Sequence, residues 1–124
     1  MTDGLDGDAA VRIGKLVTDL DSWIRALRAC MRQDKPWQRN LSALVDDADA
    51  QMQVLMMTAA MDKADKIISG AATDLAGACR RVDLAIQGSR ADAVIRTSTH
   101  AIATASNELR RLIFEMAEGG SPSQ

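Results

Sequence analysis

His100 is the only histidine in this chain, so acid–base or nucleophilic chemistry on an imidazole has a single place to reside. The carboxylates are lopsided. There are fourteen aspartates but only three glutamates, Glu108, Glu115 and Glu118. A carboxylate-bridged metal pair in a helical bundle draws on two Glu-x-x-His motifs, which one histidine cannot supply. Cys30 and Cys79 stand far apart, with no second pair to complete a zinc centre. No glycine-rich phosphate loop, nucleophile elbow or dinucleotide fingerprint occurs. The sequence therefore predicts no catalytic residues, no metal and no cofactor, and the expectation is a protein that is not an enzyme.

What remains is chemistry of recognition. Arg25, Arg28, Arg32, Lys35 and Arg39 gather around one short stretch, with Trp37 among them. Arginine and tryptophan dominate the energetics of protein interfaces. These six residues form a candidate docking patch for an acidic or helical protein partner, with Trp37 as anchor in a connecting loop. The competing assignment makes the cations a solvated face, facing the run Asp46, Asp47 and Asp49, and folds Trp37 back onto Leu41. Met52, Met56, Met57 and Met61 concentrate in a second stretch, either as core or as an adaptable surface.

The elements that must carry these residues are helical. Aromatics amount to 2%, the prolines number two, and much of the 47% apolar content is alanine. Such a composition is poor material for a sheet. Ile13, Val17, Leu20, Ile24, Leu27 and Met31 alternate steps of four and three, predicting a helix from about Asp8 to Arg32. Pro36 ends it. A second seam, Leu41, Val45, Ala48, Met52, Leu55 and Ala59, starts a helix between Trp37 and Asn40. Near residue 60 the phase changes, and Met61, Ala64, Ile68, Ala71, Leu75, Ala78 and Val82 form a third seam. Gln87-Gly88-Ser89 is a turn, with Ser89 as N-cap of a last helix along Ala91, Ile95, Ile102, Leu109 and Met116.

Between residues 40 and 87 two architectures stay open. A reversal at Ser69-Gly70 makes an all-α, antiparallel up-down four-helix bundle. Without it there are three helices, the central one spanning residues 40–87. The domain is expected over residues 8–118, with a flexible segment at 1–7 and a disordered tail at 119–124. Both cysteines are expected to be small core fillers.

The heptad through Ile95, Ile102, Leu109 and Met116 puts His100 at the outermost position. An acidic helical bundle of this length with one exposed histidine resembles, in gross character, the histidine phosphotransfer domains. That resemblance implies a phosphoacceptor role for His100. The positions three and four after it, which in such domains carry a basic or amide residue and a glycine, here hold Ala103 and Thr104.

A net charge of −2 makes nucleic acid an unlikely partner. The acidic start and the absence of a long apolar stretch predict a cytoplasmic protein with no membrane association. Three functions follow. The leading one is a protein–protein interaction or assembly module, expected as a homodimer. The alternatives are a phosphotransfer-like domain using His100, and a bundle holding a hydrophobic ligand beside Met52–Met61.

Overall fold

The computed structural model describes the backbone of residues 2–61, 64–89 and 91–119, with side chains between Asp8 and Ala117 within those ranges. Four helices run in chain order: α1 (Thr2–Cys30), α2 (Pro36–Ala60), α3 (Asp65–Gln87) and α4 (Ala93–Gly119). Each connection is short, so successive helices reverse direction. Each helix also approaches its neighbours in sequence, and α1 closes the ring against α4. The diagonal pairs, α1–α3 and α2–α4, make no close backbone approach among the described residues. The protein is thus an antiparallel up-down four-helix bundle.

The core is a column of alternating large and small side chains. Leu20 and Ile24 of α1, Val45, Met52 and Leu55 of α2, Leu75 and Ile86 of α3, and Leu109 of α4 are almost completely buried. The buried positions recur at three and four residues, as in Ala48, Met52 and Leu55 of α2 or Ile102, Ala105, Leu109 and Ile113 of α4, the spacing that puts side chains on one face.

The helix ends show local chemistry at work. At the start of α2, Pro36 occupies the first helical position, where its missing N–H costs no bond. Gln38 reaches back, and its Oε1 accepts from the backbone N–H groups of Asp34 and Lys35, each at 3.0 Å. At the start of α4 the cap is Asp92, whose Oδ1 accepts from the N–H of Ile95 at 2.9 Å. Ser89 does not cap α4. Its hydroxyl donates to the Ile86 carbonyl and accepts from the Ala91 N–H, which closes the turn after α3 instead.

The second reversal lies elsewhere than expected. Ser69-Gly70 sits inside α3, and the chain reverses between Ala60, the end of α2, and Asp65, the start of α3. Neither glycine nor proline marks that turn. Ala64 precedes α3 in an extended conformation, with φ −57° and ψ 147°, and caps nothing with its side chain. The break is imposed by packing. The seams before and after residue 60 are out of phase, and one straight helix cannot press both against a single core. The remaining differences are smaller. α1 begins at Thr2 rather than near Asp8 and ends at Cys30 rather than Arg32. The tail expected from residue 119 lies, from Gly120 onward, outside the described residues.

Candidate functional site

The basic cluster at the end of α1 is divided by the fold. Arg28 lies across the acidic run of α2, its Nε 2.8 Å from Asp46 and its Nη1 3.1 Å from Asp49. From the opposite side, Arg81 of α3 reaches Asp47 at 3.1 Å. Asp21 accepts from Gln53 at 3.1 Å and pairs with Arg25 at 3.2 Å. These pairs are partly exposed, so each contributes little stability. Together they account for the clustered aspartates of α2: that helix is flanked on both sides by arginines of its neighbours. Arg39 is also engaged, donating to the Gln33 carbonyl at 3.2 Å. Of the six candidate residues, Arg32, Lys35 and Arg39 remain exposed without an ion pair among the described residues.

Trp37 is not in the loop. It occupies the first turn of α2, half-buried and packed against the core. With Met31, Leu41, Ile86 and Ile95 it borders an open hollow of about 490 Å3 where the two loops meet. Its surroundings are those of a side chain closing the end of the bundle.

The other tryptophan faces outward. Trp23 of α1 is 42% exposed and Val94 of α4 is 74% exposed. Both border a groove of about 340 Å3 between these helices, floored by Leu27 and Ile102. Around it Ser22, Ala26, Ala29 and Cys30 of α1 and Ala93, Thr97, Ala101 and Thr104 of α4 are all exposed, and none is charged. One residue in four of this chain is charged, so a two-helix face free of charge is a departure from the rest of its surface. The lower edge is closed by the ion pair of Arg12 with Glu108 and by Lys15 with Asp19. Arg32 and Asp92 stand beyond the upper edge. Sequence reading missed this face. Trp23 continues the apolar stripe of α1, and only the placement of α4 shows that it lies beyond the core's edge.

The cysteines differ in the same way. Cys79 is fully buried, and burial pushes its thiol up to about 11, with the neighbouring Ser106 hydroxyl drawing it slightly back. Its thiol stays protonated, as expected of a core filler. Cys30 is exposed on the α1–α4 face, contrary to the expectation for it. It is the last residue of α1, where the apolar stripe leaves the bundle.

His100 is exposed on α4, as the heptad placed it. Its Nδ1 lies 3.5 Å from Oδ2 of Asp83 on α3. Asp83 is largely covered, and its Oδ1 accepts from Gln87 at 3.0 Å and Thr99 at 3.3 Å. Arg96, one turn before the histidine, donates to the Ser89 carbonyl at 2.7 Å. Among the described residues no three of His, Cys, Asp and Glu come together as a metal site, and no helix is long and apolar enough to cross a membrane. Comparison with known proteins found no matching family model, curated protein or solved structure, so function rests on the chemistry of these sites alone.

Proposed function

We propose that this protein is a self-associating helical interaction module, without catalytic chemistry of its own, that pairs through the α1–α4 face. The observation that carries this reading is the uncharged surface around Trp23 and Val94. A partner that brought a charge onto it would have to strip that charge of water without a counter-ion. A second copy of the same face meets the requirement. Its small residues, Ala26, Ala29, Thr97 and Ala101, permit close approach of helices, and the groove offers a hole for a partner's Trp23. A two-fold arrangement with antiparallel α1 helices places the lower edge of one copy against the upper edge of the other. Asp19 then faces the partner's Arg32, opposite in sign. The module operates in the cytoplasm, where free thiols stay reduced.

Light scattering on the purified protein tests the pairing. The expected mass is twice the 13.3 kDa of one chain, falling to one chain for Trp23→Asp with helicity unchanged. Arg32→Glu should weaken the dimer, and Asp19→Lys added to it should restore it. A wild-type protein that stays monomeric at tens of micromolar, roughly the 6 kcal/mol scale of association, removes the self-pairing. A variant pair that fails to rescue removes the two-fold arrangement.

A second reading has one observation behind it. Asp83 beside Nδ1 of His100 would hold that nitrogen protonated and leave Nε2 as the nucleophile, the arrangement an orienting carboxylate gives an imidazole. In that reading His100 accepts a phosphoryl group from a phosphorylated protein partner. Incubation with a phosphoryl donor should then yield an acid-labile phosphate that is lost in His100→Gln and reduced in Asp83→Asn. No label on the wild type under those conditions excludes the role.

A further inference from the structure

At the end of the bundle where α2 turns into α3, all four helices line one apolar well. Ile13 and Val17 of α1, Leu55 and Ala59 of α2, Ile68 of α3 and Ile113 of α4 surround about 270 Å3. Among the described residues, Asp65 is the only polar side chain on its wall. Leu55 and Ile113 are buried beneath it, so the well ends blind in the core. An apolar cavity of this kind holds water poorly and binds apolar groups, and clefts between helices of a bundle are common ligand sites. Of the methionine-rich stretch only Met56 reaches it. Met52 is buried in the core, while Met57 and Met61 face solvent.

The mouth has a sign. α2 ends at Ala60 and α4 at Gly119, each with no basic residue in its last turn. Their unpaired terminal carbonyls therefore leave the negative ends of two helix dipoles uncompensated by the described residues. α3 starts here with its positive end, but Asp65 is its first residue and offsets it, while α1 begins at Thr2, three turns before Ile13, the first of its described residues on the well, and too far for its positive end to act there. The nearby Lys66 borders a different groove, shared with Gly70 and Phe114.

We propose that this well binds a single-chain cationic amphiphile: an alkylammonium whose chain fills the apolar space and whose head sits at the mouth against Asp65. None of the residues of the α1–α4 face lines the well, so this inference stands independently of self-association.

The test is displacement of the neutral fluorescent probe N-phenyl-1-naphthylamine from the full chain by decylammonium, decanoate and decanol, all below their micellar concentrations. Decylammonium should compete at about tenfold lower concentration than decanoate, the size of one favourable charge contact at a partly exposed mouth. Asp65→Asn should bring the two within about twofold of each other while leaving decanol unchanged. Ala59→Trp and Ala117→Trp, which fill the well, should abolish probe binding with helicity retained. Decanoate competing as well as decylammonium in the wild type would overturn the proposal. So would an undiminished preference in Asp65→Asn, or a filled well that still binds the probe. If the filling variants do not fold, the Asp65→Asn comparison decides alone.

Discussion

Two seams of this bundle share one helix and differ in character. Along α3–α4 the backbones approach closely over a long stretch; along α1–α4 they do so less. Side-chain size accounts for it, since the distance between packed helices follows the residues at the contact. Ala72, Ala76, Cys79 and Asp83 step along the α4-facing side of α3, and they meet Thr99 and Ser106, both fully buried. α1 brings the larger Trp23 and Leu27 to α4, and a groove remains between the two helices. Beside Cys79 the small-residue seam is closed and carries the buried thiol, and it opens into a groove further along, between Gly70 and Phe114. The large-residue seam is open and carries the exposed one. In this bundle bulky side chains do not by themselves close a seam; small ones bring the backbones together.

Substitutions at the two seams sharpen the contrast, and the largest effect is expected from overfilling the closed one. Ala72→Leu should destabilise the fold by about 3 kcal/mol, because no space exists for the added atoms. Ala101→Leu on the open face should change it by less than about 0.5 kcal/mol, since that side chain is exposed. Chemical denaturation of both variants decides. If Ala72→Leu is neutral, the closed seam is not closed.

The thiols give a kinetic version of the same comparison. With its thiol at about 11 against the ordinary 9.0, Cys79 holds about a hundredfold less thiolate at any pH below both values, and it is inaccessible as well. Cys30 should therefore react first with a maleimide at pH 8, and Cys79 only on unfolding. Labelling of Cys30 should slow as protein concentration rises, because the proposed dimer covers it.

The tryptophans separate folding from association. Trp37→Ala should lower stability by about 2 kcal/mol, less than a fully buried aromatic because the ring is half-exposed. Trp23→Ala should leave stability nearly unchanged and weaken self-association by about 2 kcal/mol. Melting temperature and dimer dissociation constant, measured on both variants, test the assignment; equal losses of stability would erase the distinction.

The smallest effects concern the start of α3. Gly70 lies in the second turn of α3, with open space where a Cβ would stand, so Gly70→Ala should stabilise by about 1 kcal/mol. Ala64→Ser should add a similar amount by supplying the missing cap at the start of α3. A destabilised Gly70→Ala protein would mean that the chain reverses at that glycine after all.

How much of this was legible beforehand varies with the range of the interaction involved. The turn between α2 and α3 is the clearest case. The change of phase near residue 60 marked it, yet Ser69-Gly70 offered the stronger local punctuation and pointed seven or so residues too far along, at a glycine that simply rides in a helix. Likewise Ser89 looked like a cap, but Asp92 stands three residues before the N–H it serves and Ser89 does not. The candidate basic patch was visible as residues, though not as a set: whether Arg28 meets solvent or Asp46 depends on where α2 lies.

By itself the sequence determined the helices, their apolar faces and the outward position of His100. Propensity and the 3.6-residue period act within a few turns of chain and need no partner. Only the tertiary structure decided which faces meet. It set Asp83 beside His100, buried Cys79 and exposed Cys30, turned Trp37 inward and Trp23 outward, and opened the well beside Asp65. Each of those outcomes depends on the separation of two helices, which is set by side chains on both at once and belongs to neither.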